Sequence, residues 1–150
     1  MLTLPLALRV LGAAQARAEE LGVAVNVSIL DAGGHLKAFA RMDSAILASI
    51  DVAMGKARTA VLLEARSEAA WDYCKPGGPA PGLERSNGGL VTFGGGIPIR
   101  NANDKVIGAV GVSGGTVDED LSIADAALAA SAEPGPRIET MVAALQQGAR

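Results

Sequence analysis

The run Lys105-Val106-Ile107-Gly108-Ala109-Val110-Gly111-Val112-Ser113-Gly114-Gly115-Thr116-Val117-Asp118-Glu119-Asp120 decides how this chain must fold. Its first half reads as a buried strand, because Val106, Ile107, Val110 and Val112 form a short β-branched run whose glycines admit a close neighbour. Its second half opens a helix. Ser113-Gly114-Gly115 supplies a permissive backbone, and Thr116 with Glu119 three residues on has the spacing of a capping box, each side chain satisfying a free backbone N–H. A strand that passes through glycines into a helix N-terminus turns several N–H groups outward beside the positive end of the helix dipole. Such a place can hold an anion.

Working outward, Asn101-Ala102-Asn103-Asp104 is the turn that joins this strand to Ile97-Pro98-Ile99-Arg100, with Pro98 marking an edge position or a bulge. Gly94-Gly95-Gly96 invites a phosphate-loop reading. It precedes a strand, however, whereas nucleotide loops follow one and open a helix, and Gly108, Gly111 and Gly114 miss the dinucleotide-binding spacing. Gly94, Gly95 and Gly96 are therefore either a tight backbone contact or a ligand-facing surface.

A second hairpin lies upstream. Val23, Val25, Val27, Ile29 and Leu30 form one strand, Asp31-Ala32-Gly33-Gly34 is a turn, and Leu36 to Arg41 alternates again. An amphipathic helix precedes it, with Leu4, Leu8, Leu11, Ala14, Ala18 and Leu21 on one face, Thr3 at its start, Pro5 in its first turn and Gly22 at its end. After the hairpin, Ile46, Ile50, Ala53, Ala57 and Ala60 or Val61 make the apolar stripe of a helix running to about Leu63. Ser67 is placed to cap a short helix carrying Trp71 and Tyr73. The stretch from Cys74 to Gly89, rich in proline and glycine, is a long loop. A helix from Val117 to about Ser131 follows the central run, Pro134 and Pro136 break it, and Ile138, Met141, Val142 and Leu145 mark a last short helix. Two hairpins separated by helices predict an α+β domain on a largely antiparallel sheet, not a doubly wound parallel one.

Composition agrees with a single globular domain: 150 residues, 49% apolar and 19% charged. The apolar excess points to a homo-oligomer. A net charge of −3, from 13 basic and 16 acidic residues with no basic block, argues against nucleic acid as a partner. Cys74 has no second cysteine to pair with and no Cys/His pair has zinc spacing, so no metal site is expected and a reducing cytoplasm fits. Ala16-Arg17-Ala18 superficially resembles a signal-peptide cleavage site, but Arg9 interrupts the apolar run and a positive leading segment is lacking. No apolar run is long enough for a membrane span, and no repeat of roughly 20 to 50 residues is visible.

Arg41 and Asp43 bracket Met42 where a strand gives way to a helix, and Lys56 lies in that helix beside its apolar stripe. The three residues form either an ion-pair cluster pinning helix to sheet or a pocket with fixed cations for a carboxylate. His35, the only histidine, falls in a hairpin turn and reads as solvated; Cys74 shows no adjacent base, and catalytic residues are not identifiable.

Taken together, Leu30-Asp31-Ala32-Gly33-Gly34-His35-Leu36, Arg41-Met42-Asp43, Lys56-Ala57-Arg58-Thr59-Ala60, Phe93-Gly94-Gly95-Gly96-Ile97-Pro98, Gly108 to Gly115 and Asp118-Glu119-Asp120 resemble the haem-degrading domain family of GlcG-like and HbpS-like proteins, over about Leu4 to Ala130. Residues 1–150 read as one such domain, with 130–150 as a C-terminal helical extension beyond the part that the resemblance covers. The resemblance implies a profilin-like α/β/α sandwich on a mainly antiparallel five-stranded sheet, and a homo-oligomer. Its functional implication is a protein that binds haem, as sole cofactor, or a small carboxylate. The pocket would be lined by Arg41, Asp43, Lys56, Gly94, Gly95, Gly96, Ser113, Gly114 and Gly115. Two alternatives stand beside it: a hydrolase or isomerase of organic acid catabolism, with Arg41 clamping a carboxylate and Asp43 or Lys56 moving protons, and a structural assembly module without a ligand.

Overall fold

The computed structural model describes residues 1–132. The expected last helix at Ile138 to Leu145, and with it most of the expected C-terminal extension, lies outside the described residues.

Helix α1 (Leu4–Leu21) starts at Thr3, whose side chain accepts from the Leu6 N–H, and ends at Gly22 in the left-handed conformation. Strands β1 (Asn26–Asp31) and β2 (Leu36–Arg41) form the first hairpin. Helix α2 (Ala48–Leu63) and the short α3 (Ala69–Cys74) follow; then come a 3₁₀ turn at Leu83–Arg85, β3 (Gly96–Arg100), β4 (Val106–Ser113) and α4 (Val117–Ala132). The sheet order is β2-β1-β4-β3 with every neighbouring pair antiparallel. The central run is thus a central strand, paired on both sides.

The sheet has four strands, not the five that the resemblance implied. Both hairpins are present and joined through β1 and β4. The remaining chain between α2 and β3 is spent on α3, the 3₁₀ turn and the proline- and glycine-rich loop, whose backbone cannot sustain a ladder.

Helices cover both faces. On one side α1 and α4 lie over Val27, Ile29, Ile97, Ile99, Val110 and Val112, which form the main core with Val10, Leu11 and Ile123. Each such fully buried branched side chain contributes roughly 1.5–3 kcal/mol. On the other side α2 packs with small residues, Ala57 and Ala60 against Leu30 and Ala109. That closeness requires glycine in the sheet, because a side-chain carbon at Gly111 would collide with the Ala53 carbonyl and one at Gly96 with the Lys56 carbonyl. The sequence reading of Gly96 as a tight backbone contact is realised at the α2 crossing.

Ser67 does not cap α3. The helix N-cap is Glu68, without a side-chain bond, while Ser67 Oγ donates to the Phe93 carbonyl at 2.7 Å and accepts from the Gly96 N–H at 3.0 Å. The Ser67 N–H also donates to the Gly96 carbonyl at 2.9 Å, so this residue closes the outer side of β3.

Candidate functional site

Lys56 is the only lysine or arginine in the described chain that is fully buried. It leaves the middle of α2 and runs past the start of β3 to the end of β4, where its ammonium donates to the Val112 carbonyl at 2.8 Å and to Asp120 Oδ2 at 2.6 Å. The Phe93 ring lies over the same nitrogen, 5.1 Å from centroid to Nζ. Room for the ammonium comes from Gly95, whose missing side chain would sit 2.9 Å from Nζ and 2.7 Å from the Val112 carbonyl. Gly95 also has φ +121, a conformation that side chains resist.

Asp120 completes the arrangement from the first turn of α4. Its Oδ1 accepts from the Gly115 N–H at 3.0 Å, and the adjacent capping box is closed by Thr116 and Glu119 in both directions, at 2.8 and 3.2 Å. Two of the N–H groups that the sequence offered to an anion, those of Gly115 and Thr116, are therefore held by the chain's own carboxylates. Burial pushes the Lys56 ammonium below its ordinary range and the Asp120 carboxyl above its own, each opposed by attraction to the other.

Of the residues grouped from sequence, Lys56, Gly94, Gly95, Gly96, Ser113, Gly114 and Gly115 gather around this pair or its strand ends. Gly94 packs on Leu121, and Gly114 on the backbone of Ala24 and Val25. Arg41 and Asp43 stand apart from it. Both are exposed, at the open end of β2 and just beyond; Arg41 shares a sheet row with Asn26 and Ser113. Asn26 Nδ2 in turn holds the Ile46 carbonyl at 3.2 Å, and the flanking Ile46 and Leu47 are exposed.

The sequence reading gave no role to Asp120, although its place four residues after Thr116 in an acidic first turn was the available signal. Phe93 was likewise not tied to Lys56, a pairing across 37 positions with no local signature.

At the opposite end of the sheet the two hairpin turns, Asp31 to His35 and Asn101 to Lys105, frame a cavity of about 480 Å³ floored by Leu2, Val106 and Ile107. Asp31 Oδ1 accepts from the N–H groups of Gly33 and His35 at 2.9 and 3.0 Å, and the His35 N–H bond chiefly holds its carboxyl below the usual range. The same oxygen lies 3.4 Å from His35 Nδ1. A second, smaller cavity of about 290 Å³ is lined by Tyr73, Leu63 and Leu83. Among the described residues no three His, Cys, Asp or Glu side chains cluster for a metal ion, and no helix is long and apolar enough to cross a membrane.

A crystal structure of the Klebsiella pneumoniae protein ORFY is 37% identical to this chain, with a TM-score of 0.85 over 89% of this chain and 92% of the other. A crystal structure described as a PduOC–heme complex is 41% identical, with a TM-score of 0.78 over 81% of this chain and 88% of the other. The corrinoid adenosyltransferase PduO of Citrobacter freundii is 41% identical over 79% of this chain, but the aligned part is only 35% of that enzyme's length. The sequence model of the haem degrading, HbpS-like proteins matches residues 2–129, and the chain belongs to that family.

Proposed function

We propose that this protein binds haem. The observation that carries the reading is the likeness to the PduOC–heme complex, at 41% identity over most of both chains. Haem asks a protein for an apolar wall, cations for its propionates and an axial donor to its iron. The present chain has exposed cations in Arg41 and Lys105 and one exposed imidazole in His35, which support the reading. When bound, haem would supply a redox-active iron; the chain's residues would hold and orient it.

Lys56 supports binding more than turnover. A fully buried ammonium that already faces a carboxylate, a carbonyl and a ring has no open path for passing protons to a substrate. The Lys56–Asp120 pair is then a pin that fixes α2 and α4 to the end of β4.

A second reading places a small carboxylate at Arg41. It is favoured by an exposed guanidinium that makes no ion pair among the described residues, on the strand position paired with Asn26, whose side chain holds the carbonyl of exposed Ile46. Lys56 and the glycines from Gly94 to Gly96 and Gly114 to Gly115 would support that end of the sheet from beneath.

Titration of the purified protein with haemin tests the proposal. A saturable Soret shift at micromolar protein is expected, and its absence would overturn the haem reading. A shift abolished by Arg41→Ala would move the ligand to the Arg41 end.

A further inference from the structure

We propose that Asn87 is a site of covalent modification, at which the chain converts its own asparagine to aspartate and isoaspartate through a cyclic imide with Gly88.

The site lies in the long loop between α3 and β3. Asn87-Gly88 is the only Asn-Gly pair in the chain, and glycine is the neighbour that leaves the backbone nitrogen unobstructed beside the side-chain amide. Among the described residues the Gly88 N–H makes no hydrogen bond, whereas the next two do: the Gly89 N–H donates to the Ser86 carbonyl at 2.9 Å and the Leu90 N–H to the Glu84 carbonyl at 2.8 Å. Asn87 is exposed, with φ +56, and Gly88 follows at φ +74, so no helix or strand ladder fixes either one. The Asn87 amide donates to Ser86 Oγ at 2.9 Å. The other three asparagines are placed differently, and each is followed by a residue with a side chain. Asn26 is buried with its amide on the Ile46 carbonyl, and Asn101 Oδ1 accepts from the N–H groups of Asn103 and Lys105 at 3.0 Å each.

Ring closure joins the Gly88 nitrogen to Asn87 Cγ. The nitrogen gives its proton to water, and Nδ2 departs as ammonia after taking one back. Water then opens the imide, adding its hydroxyl to one carbonyl carbon and its proton to the Gly88 nitrogen. Arg58 sets which carbonyl opens. From α2 its guanidinium donates to the Asn87 backbone carbonyl, and it makes no ion pair among the described residues. A cation on that oxygen draws water to that carbon and pairs with the carboxylate left there. Opening at this carbon yields isoaspartate, which inserts one extra carbon into the main chain between positions 87 and 88. The segment tied to α2 by Arg58, and by the Val91 N–H on Thr59 Oγ1 at 2.9 Å, is thereby lengthened and gains a charge.

The test incubates the full chain in mildly alkaline buffer and maps it by peptide mass spectrometry, beside the same chain unfolded in urea, with circular dichroism as the fold control. A gain of one dalton confined to the peptide holding Asn87 is expected in both samples, with a more acidic species on ion exchange. Gly88→Ala should slow the gain about tenfold, which asks the added methyl for only about 1.4 kcal/mol of barrier. Asn87→Gln, which leaves the backbone at Gly88 unaltered, should abolish it over the same time course. Arg58→Gln should lower the share of isoaspartate against aspartate, read by isoaspartyl methyltransferase labelling. A folded chain that stays unreacted while the unfolded one reacts, or a gain that falls at Asn101 or Asn103 instead, would overturn the site. An isoaspartate share unaltered in Arg58→Gln would overturn the part given to Arg58 and leave the site standing.

Discussion

At the scale of single residues, Lys56 and Asp120 dominate. Two charges in a dry interior face a desolvation cost that their attraction only partly offsets, so removing one leaves the other stranded. Lys56→Met alone is expected to cost about 3–5 kcal/mol in urea unfolding, whereas Lys56→Met with Asp120→Leu should recover most of that loss. A double variant as unstable as the single one would show that the pair does more than fill and neutralise this site. The pH dependence has two arms. Asp120 holds its proton more tightly folded than unfolded, so its contribution falls as pH rises from the unfolded value of 3.8 through the folded one. Lys56 releases its proton more readily when folded, so its contribution rises again between the folded value and 10.5. Stability of the native protein minus that of the double variant, followed by urea midpoint, should therefore be lowest at intermediate pH. A flat difference would contradict the assigned shifts. Lys56 itself was visible in the sequence as a cation beside an apolar stripe. Its confinement was not, because the partner lies 64 positions away on another helix.

Among elements, the α2 crossing is set by glycine and alanine, not by large side chains. Gly111→Ala would drive α2 away from β4 and is expected to cost about 3 kcal/mol or more, measured by thermal or urea unfolding. Thr116→Ala, which removes only the α4 cap, should cost about 1 kcal/mol. The first would have to approach the second for the packing account to fail. Both hairpins, the capping box and the limits of α1 were legible because local signals agree there: period-two alternation, turn residues and caps. The first strand begins later than its apolar pattern suggested, at Asn26 rather than Val23, since Val23 to Val25 pack against Gly114 and Gly115 outside the ladder. Asn26 and Ser28 alternate with valine and isoleucine as solvent-facing residues do, yet both are buried, because α2 covers that face. Ser67 misled for a related reason: it stands where a cap would, but the neighbouring strand claims its hydroxyl.

For the whole molecule, exposed Ile46, Leu47, Trp71 and Tyr73 are more apolar surface than a lone small domain needs, and a homo-oligomer is expected. Sedimentation velocity should give a mass that is a multiple of 15.1 kDa; a mass equal to that value would refute self-association. The edges of the sheet limit what form such an assembly can take. The outer side of β3 is shut by Ser67, by Pro98, which has no N–H to offer, and by Arg100, whose guanidinium bonds the Glu64 carbonyl at 2.6 Å. Among the described residues only β2 leaves a ladder edge free, and it carries Lys37 and Arg41, charges that resist a flat approach. A sheet with one open, guarded edge and one blank edge can join hands once at most and then stop. Strand pairing between copies would end at a closed pair and could not run on into a fibre, so larger rings or shells must be built from helix surfaces instead.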